Sequence, residues 1–256
     1  MNITKTILRL KKIDLNTIFK FPLTNQMKTL FEFPENLFEQ FVEHSDEKTK
    51  VESSILSLLN EVQPNTILNI GAGLDTLTNS VSFPKTVREI TLLEKSSNYS
   101  HSYNGKKVIV VNDDFEEWES GHKYDLIIVS HVLYYFRDKS KAINKMLSLL
   151  NEGGIILFVV HKPKGVYKYI KDAAFKGNYE YSYDKLINIL KNLGCHTKEI
   201  QIECSIKANN SQELCEAVKL WFEMDLNTYE QCKPEVLKLS ANNELRYFNS
   251  LIIVRK

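Results

Sequence analysis

The run Ile67-Leu68-Asn69-Ile70 has the composition of a strand and ends in Gly71-Ala72-Gly73-Leu74-Asp75-Thr76. Glycines in such a turn let the backbone approach a ligand closely. About twenty residues on, a second run closes on Glu94 with Lys95 beside it, where a carboxylate can accept both hydroxyls of a ribose. A fourth run, Tyr124-Asp125-Leu126-Ile127-Ile128-Val129-Ser130, leads into His131-Val132-Leu133-Tyr134-Tyr135-Phe136. In open α/β sheets, ligands bind beyond the carboxyl ends of the strands, which puts Ser130, His131, Tyr134 and Tyr135 at the rim of a site. His161 follows a fifth run, in Val159-Val160-His161-Lys162-Pro163, and faces the same end. Histidine titrates near neutrality and can take a substrate proton directly or through water. His131 is the first candidate for that role and His161 the second. Neither has metal-ligand spacing to another histidine, so no metal is expected.

These residues depend on the elements that carry them. After Pro64 the chain alternates short apolar runs with helical stretches, the pattern of a parallel sheet with crossover helices. Thr66–Ile70, Glu89–Leu93, Lys107–Val111, Asp125–Ser130 and Gly154–Val160 read as strands buried on both faces. Helices are expected over Ser140–Leu150 and Tyr183–Leu193, ending at Gly153-Gly154 and Gly194, where glycine adopts the left-handed cap conformation. His196–Ile206 and Arg246–Val254 add two strand-like segments around a helix at roughly Gln212–Asn227. The fold class is α/β, a Rossmann-like doubly wound sheet of about seven strands. Upstream, apolar residues from about Asn25 to Glu61 recur at helical steps, and Pro22 and Pro34 divide the region into several short helices. Residues 1–63 are therefore expected as an N-terminal helical cap and 64–256 as the main domain.

Composition bounds the function. The chain has 256 residues, 43% of them hydrophobic, enough for a large core. Its 33 basic and 32 acidic residues leave a net charge of +1, without the field that draws nucleic acid. Cys195, Cys204, Cys215 and Cys232 fit neither a zinc pattern nor a small disulfide framework. No apolar stretch is of signal or membrane-span type, so a cytoplasmic protein is expected. Abundant Lys and Asn with few Gly and Pro point to an AT-rich, bacterial genome.

The Gly71–Thr76 string resembles motif I of class I methyltransferases, and is especially similar to that of leucine carboxyl and polyketide O-methyltransferase relatives. It departs from the common form at Asn69, where an acid is usual, and at Asp75, where a third glycine is usual. The His131–Tyr135 segment resembles the corresponding region of histamine-type and other small-molecule methyltransferases. Residues 64 to 161 carry the resemblance. It implies S-adenosylmethionine as cofactor and S-adenosylhomocysteine as product, and a terminal strand inserted antiparallel beside the fifth. Asn69, Gly71, Ala72, Gly73, Asp75, Glu94, Lys95 and Ser130 would line the cofactor. In Asn112-Asp113-Asp114-Phe115 an acid would accept from the adenine amino group, with Phe115 against the ring. Asp114 fits best, Asp113 can exchange roles with it, and either is free to cap the turn.

Class I enzymes often build a lid over the acceptor, and Phe19, Phe21, Phe31, Phe33, Phe38 and Phe41 concentrate aromatics in the N-terminal extension; each ring could equally pack that extension onto the core. Tyr167, Tyr169, Phe175, Tyr179, Tyr181 and Tyr183 could close the other side. A nicotinamide dehydrogenase shares the glycine turn and the ribose acid but wants glycine or alanine where Thr76 stands. A non-catalytic scaffold is a third class. Motif I leans toward an oxygen acceptor, a carboxylate or hydroxyl. The histidine and tyrosines after the fourth strand lean toward nitrogen, and the balance favours a small amine or the α-amine of a small modified peptide natural product. His131, Tyr134, Tyr135 and His161 are the expected catalytic set; the oligomeric state is left open.

Overall fold

A computed structural model of the chain describes residues 35–73, 83–95, 107–222 and 226–255. Seven strands form one sheet in the order β3-β2-β1-β4-β5-β7-β6. β1 (Thr66–Ile70), β2 (Glu89–Leu93), β3 (Lys107–Val111), β4 (Tyr124–Ser130) and β5 (Leu150–His161) pair in parallel. β7 (Glu244–Arg255) runs antiparallel between β5 and β6 (His196–Lys207), as expected for the terminal strand. The first three strands have the bounds read from sequence.

Alternation along the strands sorts the core into two layers. Ile67, Ile90, Leu126, Ile128, Leu157 and Val159 face one side. There they meet α2 (Glu47–Val62), α4 (Gly165–Ala174), α6 (Ser211–Val218) and α7 (Leu226–Leu239). Leu68, Ile127, Val129, Ile156 and Phe158 face the other, covered by α3 (Lys139–Ser148) and α5 (Ser182–Asn192). α1 (Glu35–His44) precedes α2, while Pro22 and Pro34, the expected points of division between upstream helices, lie outside the described residues. Val51, Ile55, Leu58 and Leu59 supply the buried stripe of α2. Among the described residues, no helix is long and apolar enough to cross a membrane.

Three sequence expectations are corrected. β5 begins at Leu150 rather than Gly154, because Asn151–Gly154 forms an irregular entry to the strand with a register shift against β4. Gly153, at φ +74°, serves that bulge, while α3 already ends at Ser148. The single helix expected at Gln212–Asn227 is α6 followed by a 3-10 turn at Lys219–Phe222. α7 then starts at Leu226 and holds Pro234 inside it, where a helix would be expected to break. α4 replaces what read only as an aromatic-rich stretch.

Two joints hold the site end and its opposite end. After β1, Gly71 has φ +66° and its amide donates to Leu93 O at 2.8 Å. A Cβ there would meet Val132 Cγ2 at 2.5 Å, so the turn after β1 and the turn after β4 are in close packing. At the opposite end, Asp125 Oδ2 accepts from the amides of Asn65 (2.8 Å) and Thr66 (3.1 Å), and its Oδ1 from Asn151 Nδ2 (2.7 Å). Burial alone would raise this carboxyl, but Asn151 and the two amides hold it below the usual aspartate range.

Two outcomes are expected. Gly71→Ala combines a left-handed backbone with a steric clash and lowers stability by about 1–3 kcal/mol, read as a fall in the urea midpoint. Asp125→Ala strands two amides at the start of the central strand β1 and costs about 1–2 kcal/mol. Because the folded pKa of Asp125 is depressed, its contribution is present above the ordinary value of about 4 and is lost as pH falls through the folded value. Urea midpoints of wild type and Asp125→Ala should therefore converge in acid, and a constant gap between pH 6 and pH 3 would refute this account.

Candidate active site

Two groups of polar residues collect at the carboxyl ends of the strands. The first surrounds the turn after β1. Gly73, at φ +58°, donates its amide to Glu94 Oε2 at 2.9 Å, tying the turn to the end of β2. Among the described residues, nothing lies within 4 Å of where a Cβ on Gly73 would stand. A glycine turn tied to a carboxylate at the next strand end is what a ribose-bearing ligand needs. Asn69 is buried in β1, and Ala72 donates its amide to Leu93 O at 3.2 Å. Asp75 lies outside the described residues.

At the end of β3 the two aspartates are occupied locally. Asp113 Oδ1 accepts from the Asp114 amide at 2.8 Å, and Asp114 Oδ1 from the Glu116 amide at 3.0 Å, so both cap the turn. Asp114 Oδ2 also pairs with Lys95 Nζ at 2.9 Å, linking the ends of β2 and β3. Burial would raise the Asp114 carboxyl, yet Lys95 and the Glu116 amide hold it below its usual range. Phe115 is buried against Phe136, with ring centroids 5.6 Å apart, as part of the layer under α3.

The second group is built from three distant parts of the chain. His131, the residue after β4, has φ +52° and donates its amide to Val159 O at 3.0 Å. His161 ends β5 opposite Asn249 of β7, and its Nδ1 lies 2.7 Å from Asn249 Oδ1. The two imidazole centroids are 4.6 Å apart. Glu47, first residue of α2, completes the cluster: its Oε1 is 3.0 Å from His131 Nε2 and its Oε2 4.0 Å from His161 Nδ1. Tyr247 Oη donates to Glu47 Oε2 at 2.7 Å, and Ser45 Oγ lies 2.8 Å from the same hydroxyl. Tyr167, Trp221 and Tyr247 wall His161 at centroid distances of 4.9, 6.5 and 5.8 Å.

The turn before α2 explains why a carboxylate stays there. Asp46 accepts from the Ser205 amide at 2.7 Å and from Ser205 Oγ at 2.9 Å, and its own amide donates to Ser205 O at 3.1 Å. The helix start is thereby pinned to β6. Burial alone would raise the Glu47 carboxyl, but the charge and contact of His131, then the charge of His161, hold it well below the carboxylate range. Burial and His131 together push His161 down to about 4, so it is neutral at neutral pH. Burial, then the Glu47 charge, raises the Cys204 thiol to about 12 and keeps it a thiol.

Of the residues singled out from sequence, His131 and His161 come together, with Ser130 half-buried at the end of β4. Tyr134 and Tyr135 form a 3-10 turn with ring centroids 4.9 Å apart, and Tyr135 is 53% exposed, so it points more to solvent than into the cluster. Phe41 is buried against Tyr247, while Phe19, Phe21, Phe31, Phe33 and the Phe38 side chain lie outside what is described. Glu47, Tyr247 and Asn249 were not foreseen. Ser45-Asp46-Glu47 reads as an ordinary helix start. Asn249-Ser250, a polar pair in a buried terminal strand, was the one available signal.

Comparison with known proteins adds to this geometry. The sequence matches the family model described as a methyltransferase domain over residues 41–197, more than half of the chain. No curated protein matches it. The YcgJ protein of Bacillus subtilis shares 14% identity at a TM-score of 0.58, over 79% of this chain and 96% of that one. The plantazolicin methyltransferase BpumL, solved with SAH, shares 13% identity at a TM-score of 0.53, over 90% of this chain and 93% of that one. These two likenesses are of fold. The family match, the sheet with its antiparallel β7 and the glycine turn beside Glu94 lead to one assignment: the chain belongs to the methyltransferase-domain family and is a class I enzyme that uses S-adenosylmethionine.

Proposed function

We propose that the enzyme methylates the nitrogen of a small amine, or the α-amine of a small modified peptide in natural-product biosynthesis. The observation that carries this reading is the buried Glu47–His131–His161 cluster at the ends of β4 and β5, inside a wall of Tyr167, Trp221 and Tyr247. A carboxylate and aromatic faces attract an ammonium group. The cluster also offers what an amine needs before it can attack, a place for its proton. The fold likeness to plantazolicin methyltransferase supports the peptide arm, since that protein was solved with SAH and a pentazolic desmethylPZN analog, at a TM-score of 0.55 and 14% identity.

The residues present fit the cofactor. Of the assigned Gly71, Ala72 and Gly73, it is Gly73 that presents bare backbone, Gly71 making room for Val132 instead, and Glu94 supplies acceptors for ribose hydroxyls. We assign Asn69, Asp75, Lys95 and Ser130 to its surroundings, Asp113 or Asp114 to its adenine amino group, and Phe115 to the apolar support behind it. When bound, S-adenosylmethionine supplies an electrophilic methyl group on a sulfonium. The protein's part is to hold the acceptor nitrogen in line at about 3–3.5 Å and to exclude water. Val132 sets the spacing between the two halves, because it packs over Gly71 while its neighbour His131 reaches Glu47. His131 and His161 are the catalytic pair, with Tyr134 and Tyr135 at the rim. The four cysteines are free, which suits a reducing cytoplasm.

Two measurements test this. With labelled S-adenosylmethionine, a panel of small amines and short azole peptides should accept methyl while the matching carboxylic acids and alcohols do not; turnover of the acids alone would make this an O-methyltransferase. Glu94→Ala should weaken cofactor binding roughly ten- to a hundredfold, the worth of a charge-assisted hydrogen bond. His131→Ala should lower turnover by about 10²–10⁴ with cofactor affinity nearly intact. Equal losses of affinity in both variants would sink this division of roles.

A further inference from the structure

We propose that Glu47, His131 and His161 form a binding site for a divalent transition-metal cation, with one coordination position left open toward the acceptor. Each residue offers a donor atom, and the three lie within 4.8 Å of one another. Glu47 Oε1 and His131 Nε2 approach to 3.0 Å, an ion-pair distance for a protonated imidazole, yet outside the geometry of a hydrogen bond, and among the described residues neither buried ring nitrogen of His131 has a hydrogen-bond partner. A carboxylate oxygen and a ring nitrogen this close, without the geometry of a hydrogen bond, are spaced as neighbouring ligands of one cation are. Bonds of about 2.0–2.1 Å set adjacent ligand atoms about 3–3.4 Å apart, and the His161 nitrogen needs to close by at most about 1.5 Å.

The groups around the cluster are those that orient ligands. The Tyr247 hydroxyl donates to Glu47 Oε2 at 2.7 Å and leaves Oε1 toward the histidines. Asn249 Oδ1 faces His161 Nδ1 at 2.7 Å, and its amide nitrogen is turned toward Cys204 Sγ at 3.7 Å, which sets the orientation of the carboxamide. A carboxylate held by a hydroxyl and a histidine held by a carbonyl oxygen are the usual outer partners of a metal site. Two imidazoles and one carboxylate suit zinc, iron or cobalt rather than calcium or magnesium, which take oxygen ligands. Side-chain exposures of 22%, 15% and 10% for His131, His161 and Glu47 leave a narrow approach for water or substrate.

This inference rests on the methyl-transfer reading only for its purpose. A water on the open position ionises near neutral pH. Its hydroxide takes one proton from the acceptor ammonium and becomes water; the nitrogen lone pair then forms the N–C bond as the S–C bond breaks, its electrons passing to sulfur. The histidines would thus hold the cation, and the proton would go to the water. No sequence spacing could reveal such a site, since its three ligands come from α2, β4 and β5.

The test is metal content of the full-length protein dialysed against zinc, with cobalt as a spectroscopic probe. Wild type should retain one zinc per chain, and cobalt should give visible ligand-field bands that zinc abolishes at one equivalent. Tyr247→Phe, which removes only the outer hydroxyl, should weaken zinc binding by about 10- to 100-fold. Glu47→Gln and His161→Ala should bind less than about a tenth of an equivalent, with cofactor binding retained as evidence of folding. Wild type without zinc and without cobalt bands overturns the proposal even if no variant folds, and so does stoichiometric zinc in the folded Glu47→Gln and His161→Ala proteins. Metal binding without methylation of any amine would leave the site standing and remove the acceptor reading; amine methylation by a wild type that takes up neither zinc nor cobalt would do the reverse.

Discussion

A buried carboxylate has to be paid for by its neighbours, and in this enzyme the neighbours of Glu47 come from almost every part of the fold. Its helix is pinned to β6 through Asp46 and Ser205, its outer oxygen is bound by Tyr247 of β7, and its inner oxygen meets His131 at the end of β4. Removing any one of these would leave a charge uncompensated in a nearly dry place. The contact therefore ties the start of α2, the antiparallel end of the sheet and the carboxyl ends of β4 and β5 into one constraint. It also explains why α2 and the turn before it belong to the site and not merely to its cover.

The parallel core was legible because each short strand is a continuous apolar run between turn signals. β1, β2 and β3 have the predicted bounds, and β4 differs by one residue. Legibility fell where local pattern and tertiary demand diverge. Asn151-Glu152-Gly153-Gly154 carries the composition of a helix cap, yet pairing with β4 draws it into the strand. α7 was invisible because Pro234 sits inside it. The single helix drawn between β6 and β7 hid a break after Val218 that only packing reveals.

At the site, the sequence exposed residues attached to strand ends and concealed those brought in from elsewhere. His131 and His161 follow apolar runs and could be read directly. Glu47 could not, since an acid in the first turn of a helix is normally explained by the helix dipole and by solvent. Asp113 and Asp114 carry a further demand that spacing does not show: both cap the turn after β3, and one of them also pairs with Lys95. A carboxylate's role is set by which donors surround it, and that is not written in spacing.

The left-handed backbone of His131 separates what favours the turn from what favours the imidazole's place beside Glu47. A branched or bulky residue at φ +52° is strained, while glycine or asparagine takes that conformation at little cost. Selection of position 131 for backbone comfort alone would drift toward Gly or Asn, neither of which brings an imidazole to Glu47. The chain keeps a less comfortable residue at the turn after β4, where its imidazole faces Glu47, which makes this position a local measure of how much backbone strain the cluster carries.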